Sequence, residues 1–350
     1  MEMDTSSLIE MNRLAHEQGQ RFTKKRFAYA EITAQDGRHF TGIVGPRGAG
    51  KTILLKQIAA ERSDCFYISL DAFEGDLFET IRQLNRDFSI RCFLLDEVHF
   101  HRGFEGVLKK TYDFLQDVRI VFTGSVALAL FNSAYDLSRR VVLKKMLPFS
   151  LREYVFLKYG IVCAPLSLTD IIEKKISPSI IDIYPYFSEY LRGGILPFAL
   201  DEPNPLPILK NIVTTVVRKD LAYAGGLNPE ETDQVIRMLE FIGKSGIDGI
   251  NYTSLSQNIK ITKYKAQQYV DLLEKAFILN RVLPAGTNVM KEPKILMAAP
   301  YRLLYRDYET ALGGLREDFF VESMRMTDKE LWYLKSTRGE KTPDYLTHLN

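Results

Sequence analysis

Short apolar runs alternate with helix-like segments between residues 39 and 125. The strand-like runs are residues 39–44, 64–71, 90–97 and 118–125. Segments with apolar residues at helical spacing follow the first three runs, at residues 53–60, 77–84 and 106–116. Because strands that alternate with helices form parallel sheets covered on both faces, this pattern predicts an α/β core.

The pattern changes after residue 150, where helix-like segments dominate. Residues 150–199 are expected to be helical, and the proline-rich stretch 200–207 to be an extended link. A helix over 208–223 and a glycine-rich break follow. The chain then carries three short helices and an extended run in close order, at residues 230–244, 253–258, 263–277 and 278–284. This order is typical of a winged helix, an α+β module.

Length and composition limit the number of domains and the class of protein. A length of 350 residues favours two or three domains, and contents of 46% hydrophobic and 26% charged residues are ordinary for globular proteins. The sequence shows no apolar run of about 20 residues and no signal pattern at its N-terminus, so we expect a cytoplasmic protein without a membrane partner. Cys65, Cys92 and Cys163 lack C-x-x-C spacing and are expected to be reduced core residues.

A glycine-rich loop separates the first strand-like run from the first helix-like segment. Residues 45–52 read Gly-Pro-Arg-Gly-Ala-Gly-Lys-Thr, which fits G-x-x-x-x-G-K-[ST]. Such a loop directs backbone N–H groups at phosphates, its lysine reaches the β- and γ-phosphates, and its threonine ligates Mg²⁺. The predicted ATP-binding residues are Gly45, Pro46, Arg47, Gly48, Ala49, Gly50, Lys51, Thr52 and Ile53. The alternative is a chance glycine turn.

Two acidic residues end the apolar run 90–97. Asp96 is predicted to hold Mg²⁺ together with Thr52, and Glu97 to orient or deprotonate the attacking water. The alternative is a solvated acidic turn after a core strand. The additional strand at 64–71 leaves room for the sheet order of ATPases that carry a glutamate after this aspartate.

The run 118–125 ends in small hydroxyl residues. Thr123 or Ser125 is a candidate to sense the γ-phosphate or the attacking water. A simple turn is the alternative.

The order of these motifs and later segments resembles the bacterial and archaeal AAA-type P-loop ATPases that carry a winged helix and a nuclease-like C-terminal segment. The resemblance rests on the glycine loop and on five further stretches, at residues 94–99, 120–125, 147–154, 190–197 and 269–279. It implies an ASCE/AAA-like P-loop NTPase core with a helical lid, followed by a winged-helix domain. The implied segments are an N-terminal helical arm (1–30), the ATPase core (31–149), the lid (150–225), the winged helix (226–300) and the nuclease-like segment (301–350).

The resemblance also implies a role for one arginine. The family has a Gly-Arg pair before the stretch at 147–154, and Arg140 matches its arginine, whereas Arg139 replaces its glycine. Arg140 is therefore a candidate sensor or finger arginine for the transferred phosphoryl group. The alternative is a basic patch with Lys144 and Lys145 that lies away from the phosphates.

The winged helix is where DNA would bind. Its third helix and the residue before it carry the candidate contacts Lys260, Lys263, Lys265, Gln267 and Gln268. Because the formal net charge of the chain is only +2, we expect weak, salt-sensitive DNA binding. The alternative is a winged helix that packs against protein.

The C-terminal segment resembles the opening of a PD-(D/E)XK nuclease fold. Residues 314–321 match its first helix, and Asp344 matches its first metal-binding aspartate. An active site would also require a further carboxylate and a lysine on the next strand. The printed sequence contains neither after Asp344, so no nuclease activity is expected.

These observations predict a Mg²⁺-dependent ATPase whose nucleotide state moves the lid and the winged helix. ATP and ADP are its expected small-molecule partners, and DNA, another protein or a second copy of the chain its expected macromolecular partners. The alternative function is a nucleotide-gated protein-interaction switch or scaffold with little turnover.

Overall fold

The computed structural model describes residues 5–34, 37–124, 137, 139–175, 178–246, 249–286, 292–327, 329–334 and 343–347. The chain divides into two compact units, Met1–Leu147 and Pro148–Asn350. Among the described helices, none combines the length and apolar composition that a bilayer span requires.

The first unit contains a five-stranded sheet in the order β2-β3-β4-β1-β5, in which every neighbouring pair is parallel. Its strands are β1 Phe40–Val44, β2 Cys65–Ser69, β3 Cys92–Asp96, β4 Arg119–Gly124 and β5 Val141–Lys145. Its helices are α1 Thr5–Arg21, α2 Ala28–Thr33, α3 Lys51–Glu61, α4 Leu77–Phe88 and α5 Phe104–Phe114. The predicted parallel α/β core is confirmed.

Both faces of the sheet are buried, which explains the continuous apolar runs. On β3, Phe93 and Leu95 pack into one core, and Leu94 packs into the other. The first core includes apolar residues of α4 and α5, and the second includes those of α3. A strand covered on both faces is apolar at successive positions instead of alternating.

Helix α1 covers the edge strand β2. The side-chain oxygen of Asn12 accepts the backbone N–H of Tyr67 at 2.9 Å, and Met11 Sδ lies 3.2 Å from the N–H of Ser69. Side chains of α1 thus satisfy backbone donors that an edge strand otherwise exposes.

The second unit is mainly helical up to residue 275. Its α-helices are Leu151–Tyr159, Leu168–Ile172, Pro178–Ile183, Phe187–Leu191, Leu206–Thr215, Ala222–Gly225, Pro229–Lys244, Tyr252–Ile259, Lys263–Lys275 and Tyr308–Arg325. A π-helical stretch, Val216–Leu221, joins two of them, and short 3-10 turns lie at Tyr184–Tyr186, Pro197–Leu200 and Tyr301–Leu304.

A small mixed sheet follows the helices, in the order β7-β6-β8-β9. Its strands are β6 Leu279–Pro284, β7 Lys294–Met297, β8 Leu331–Tyr333 and β9 Tyr345–Thr347. β6 pairs antiparallel with β7 and parallel with β8, and β8 pairs antiparallel with β9. Three helices and an extended strand thus occur where the sequence predicts them, and their interpretation as a winged helix stays a prediction.

Candidate active site

The loop of residues 45–52 joins β1 to α3 at the carboxyl edge of the first sheet. Gly48 and Gly50 have φ angles of 84° and 92°, a left-handed conformation that glycine adopts without steric cost. A Cβ atom on Gly45 would lie 2.1 Å from the backbone oxygen of Met146. Glycine is therefore required by backbone conformation at two positions and by a close backbone approach at a third.

Lys51 turns its side chain back onto this loop. Its Nζ donates hydrogen bonds to the backbone oxygens of Gly45 and Pro46, both at 2.9 Å, and the residue is buried. The ammonium group thus lies against the loop backbone, where a phosphate-binding lysine is expected. Arg47, Thr52 and Ile53 are half-buried, whereas Ala49 is buried.

Asp96 ends β3, two strands away from β1 in the sheet order, and is buried. Its Oδ2 accepts the Tyr67 hydroxyl at 2.8 Å, and its Oδ1 accepts the Thr123 hydroxyl. Burial and the charge of Asp96 raise the pKa of Tyr67 well above its usual range, so the phenol stays protonated and donates. The carboxylate is held by a hydroxyl from each neighbouring strand.

Thr123 lies between β1 and Asp96. The strand register pairs Ile43 of β1 with Thr123, and Leu95 of β3 with Phe122. The Thr123 hydroxyl oxygen also accepts the backbone N–H of Glu97 at 3.0 Å. Thr123 therefore fixes both acidic residues at the end of β3.

Glu97 has a left-handed backbone, with φ 54° and ψ 47°, and begins the 3-10 turn Val98–Phe100. A residue other than glycine in this conformation costs about 1–3 kcal/mol, which is typical of functional sites. The turn places His99 Nδ1 3.3 Å from Glu97 Oε2.

His99 connects the two motifs electrostatically. Burial lowers the pKa of His99 to about 4, and the positive charges of Arg47 and Lys51 act in the same direction. The imidazole is therefore neutral at pH 7. The effect of both cations on His99 indicates that the glycine loop and the turn after Asp96 lie close together.

The residues present suit Mg²⁺ and a triphosphate. The glycine loop follows a buried strand and opens α3, so its N–H groups and the helix dipole favour an anion there. A threonine hydroxyl at position 52 and the carboxylate of Asp96 are the oxygen ligands that Mg²⁺ prefers.

Comparison with known proteins agrees with this geometry. The family model described as "AAA domain" (AAA_14) matches residues 37–155, and a "domain of unknown function" (DUF8612) matches residues 185–302. The first match covers the parallel-sheet core and the glycine loop, and it supports a P-loop ATPase family for this part of the chain.

Two uncharacterized proteins share much of the sequence. One, from Methanocaldococcus jannaschii, is 30% identical over 308 residues, which cover 78% of this chain and 64% of that protein. The other, from Haemophilus influenzae, is 26% identical over 280 residues, which cover 73% of this chain and 65% of that protein. The chain therefore spans slightly less than two thirds of the length of either relative.

Two solved structures have a low overall likeness to the chain. The Thermotoga maritima RuvB Holliday junction branch migration motor has a TM-score of 0.35 and 15% identity, covering 80% of this chain and 90% of that chain. C. elegans PCH-2 has a TM-score of 0.26 and 15% identity, covering 76% and 69%. Likeness at this level says nothing about substrate.

Arg140 lies at the edge of the sheet opposite the glycine loop. It precedes β5, whose first residue, Val141, pairs with Phe40 at the start of β1, so Arg140 lies at the amino edge of the sheet. Its guanidinium contacts both carboxylate oxygens of Asp113 at 3.1–3.2 Å. The structure therefore does not bring Arg140 to Lys51 within one chain, which disfavours a sensor role there, whereas its role as a finger arginine stays a prediction. The alternative basic patch is also limited, because Lys144 pairs with Glu31 at 2.7 Å.

Ser125 lies outside the described residues. Of the two hydroxyl candidates, the described Thr123 belongs to the Asp96 network.

The candidate DNA contacts lie at the start of the helix Lys263–Lys275. Lys263 forms an ion pair with Glu292, and Lys265 Nζ lies 2.9 Å from Glu231 Oε1. Lys260 and Gln268 are exposed, and Gln267 is half-buried. Lys263 and Lys265 thus both have acidic partners within their own unit.

The segment that resembles a nuclease contains two carboxylates in different surroundings. Glu317 accepts from Lys294 at 2.5 Å and from the Tyr345 hydroxyl. Asp318 forms a buried two-bond ion pair with Arg302, at 2.6 and 3.1 Å. Asp344 precedes β9, and its backbone oxygen accepts the N–H of Leu334 at 2.9 Å.

Neither Tyr67 nor His99 is among the site residues predicted from the sequence. Tyr67 belongs to no motif, and the available signal was a tyrosine within a buried strand, whose hydroxyl requires a partner. For His99 the signal was its position two residues after Glu97.

Proposed function

We propose that the AAA-type domain binds Mg²⁺ and ATP and hydrolyses ATP to ADP and phosphate. One observation carries the proposal: Asp96 and Thr123 are hydrogen-bonded at the carboxyl edge of the sheet whose strand β1 leads into the Lys51 loop. In open α/β sheets, ligands bind in the crevice at this edge. The pKa of His99, which is lowered by burial and by the charges of Arg47 and Lys51, is consistent with the same meeting point.

Lys51 and the loop backbone bind the phosphates in this proposal. Lys51 exchanges the Gly45 and Pro46 oxygens for oxygens of the β- and γ-phosphates, while the loop N–H groups donate to the same anion. Thr52 and Asp96 would hold Mg²⁺, which when bound offsets the charge of the phosphate oxygens.

Glu97 accepts the proton of the attacking water in this proposal. Its left-handed backbone and the bond from its N–H to Thr123 hold the residue at the end of β3. An imidazolium charge beside Glu97 would stabilise its carboxylate and make it a weaker base. His99 is neutral at pH 7, so this weakening is absent.

A nucleotide-gated switch with little turnover is the second candidate. Both carboxylate oxygens of Asp96 already accept a hydroxyl, from Tyr67 and Thr123. This network would hold Asp96 in place for nucleotide binding whether or not hydrolysis follows. Measured turnover decides between the two candidates.

The second unit is the part that we propose responds to the nucleotide state. Three helices followed by the β6–β7 pair support a winged helix as its partner-binding module. The ion pairs of Lys263 and Lys265 favour a protein partner over DNA, because phosphate binding would have to replace Glu292 and Glu231.

Stabilisation by ATP tests the proposal. If ATP binds only the folded protein, Mg²⁺ and ATP at 100 times Kd raise the free energy of unfolding by about 2.7 kcal/mol. Lys51→Ala should abolish this rise. Lys144→Ala should keep it, because Lys144 lies on β5 and pairs with Glu31 of α2. Equal stabilisation of the wild type and Lys51→Ala would refute the proposed site.

A further inference from the structure

Arg26 joins the N-terminal segment to the glycine loop. It lies between α1 and α2 and is half-buried. Its Nη1 donates to the backbone oxygen of Ala49 at 2.5 Å, and its Nη2 donates to the backbone oxygen of Leu147 at 2.8 Å. One guanidinium thus connects the glycine loop with the chain that follows β5.

The bond to Ala49 determines the direction of a neighbouring N–H group. The carbonyl of Ala49 and the N–H of Gly50 belong to one planar trans peptide, so they point to opposite sides. Ala49 is flanked by Gly48 and Gly50, which both have left-handed φ angles, and glycine has fewer steric restrictions on its backbone than other residues. A charged donor that fixes the Ala49 carbonyl therefore also fixes the direction of the Gly50 N–H, one of the loop groups that would face a bound phosphate.

The bond to Leu147 anchors the same side chain to the sheet. Met146 donates its N–H to the Val44 oxygen at 2.7 Å, and its own carbonyl is so close to Gly45 that a Cβ would meet it at 2.1 Å. The residues after β5 are thus packed against the start of the loop. Arg26 extends this anchorage to Ala49, near the end of the loop.

Helix α3 holds the segment that carries Arg26. Gln57, a buried residue of α3, donates to the backbone oxygens of Phe22 and Lys24 at 2.7 and 3.1 Å. Glu61, at the end of α3, accepts the hydroxyl of Tyr29 at 2.5 Å. Arg26 therefore reaches the loop from a segment that is fixed on both sides to the helix that the loop opens.

We propose that Arg26 is a positioning residue of the nucleotide site, which orients the Ala49–Gly50 peptide so that the Gly50 N–H faces the phosphates. The inference rests on the proposed function for its consequence, weaker nucleotide binding. Its structural part, the hold on the loop, does not depend on nucleotide.

Two measurements on Arg26→Gln test the proposal. Loss of a charged hydrogen bond should weaken ATP binding about tenfold, measured as Kd by calorimetry. In the nucleotide-free protein, hydrogen exchange of the amides in residues 45–52 should become faster, while exchange in β3 stays unchanged. Arg26→Lys, which can donate to one carbonyl, should lie between Arg26→Gln and the wild type in both measurements.

Arg38→Gln is the matched control. Arg38 also donates to a backbone oxygen, that of Tyr112 at 2.7 Å, but it does not contact the glycine loop through this bond. Its loss should leave the ATP Kd and the loop exchange at wild-type values.

The outcomes separate this inference from the proposed function. Wild-type Kd and wild-type loop exchange in Arg26→Gln would overturn the role of Arg26. If Arg26→Gln does not fold, Arg26→Lys decides, and wild-type values in that variant overturn the role. Absence of ATP binding by the wild-type protein would refute the proposed function, whereas the loop exchange would still measure the hold of Arg26.

Discussion

Asp96 and its partners form a small, buried hydrogen-bond network. Tyr67 and Thr123 donate to its two carboxylate oxygens, and Thr123 accepts the N–H of Glu97. Such networks fix side-chain direction when every member is satisfied. The geometry of the acidic pair therefore depends on hydroxyl groups of β2 and β4 as much as on β3 itself.

His99 gives this region a predictable pH dependence. Its pKa is lowered from an ordinary 6.5 to about 4 in the folded protein, so the unfolded chain binds more protons between these values. The stability that results from keeping His99 neutral in the folded state is fully present above about pH 6.5. It is lost as the pH falls towards 4, because the unfolded chain takes up the proton first. Between pH 7 and pH 5, His99 should cost the wild type about 2 kcal/mol of unfolding free energy.

Urea unfolding at the two pH values measures this effect. Between pH 7 and pH 5, the unfolding free energy of His99→Gln should fall by about 2 kcal/mol less than that of the wild type. An equal loss in both proteins would show that His99 titrates normally in the folded state. The comparison cancels the contributions of His16 and His101, whose pKa values burial also lowers.

Among the elements, the helix Tyr308–Arg325 is fixed by a buried ion pair. Asp318 and Arg302 are both inaccessible, and Arg302 also donates to the backbone oxygen of Ser245 at 3.2 Å. The pair thus connects this helix with the turn Tyr301–Leu304 and with the end of the helix Pro229–Lys244. Removing one partner of such a pair leaves a buried charge without compensation.

We expect Asp318→Asn to lower the unfolding free energy of the second unit by about 3–5 kcal/mol. Asp233→Asn is the matched control, because Asp233 pairs with Arg218 at 3.3 Å on the surface and both side chains are mostly exposed. That variant should change stability by less than about 1 kcal/mol. Denaturant unfolding of both variants checks the difference, and similar small effects would contradict a structural role for the buried pair.

The sequence predicted the elements whose pattern was unambiguous. Strands β1 to β4 were visible because burial on both faces makes them continuously apolar. Strand β5 was not expected, because Val141–Lys145 is only partly buried and ends in two lysines. Without β5 in the predicted sheet the position of Arg140 stayed open, since it is the parallel strand after Arg140 that places this residue at the edge opposite the glycine loop.

Contacts between distant residues were beyond sequence reasoning. The bond from Arg26 to Leu147 joins residues 121 positions apart, and that from Tyr67 to Asp96 joins two strands. Periodicity predicts which face a residue occupies, whereas these bonds depend on strand order and register.

At the scale of the whole molecule, we expect the second unit of the proposed ATPase to bind DNA only weakly. Lys263 and Lys265 are neutralised by Glu292 and Glu231, so few phosphates would be contacted. The double variant Glu231→Gln/Glu292→Gln frees both lysines. It should bind duplex DNA more tightly and steepen the salt dependence of log K by about 2, since each phosphate contact contributes about 0.9.

Fluorescence anisotropy with a labelled duplex over a salt series measures this change. A double Lys263→Ala/Lys265→Ala variant supplies the control and should show the shallowest slope. Tight binding by the wild type that the lysine variant loses would contradict the preference for a protein partner.

Phosphate release from ATP shows directly whether this site hydrolyses nucleotide. We expect Mg²⁺-dependent release by the wild type, and loss of release in Glu97→Gln with ATP affinity retained. Removal of the carboxylate base should lower turnover by about 10²–10⁴-fold. Turnover of Glu97→Gln at the wild-type rate, or a wild type that binds ATP without releasing phosphate, would contradict the proposed function.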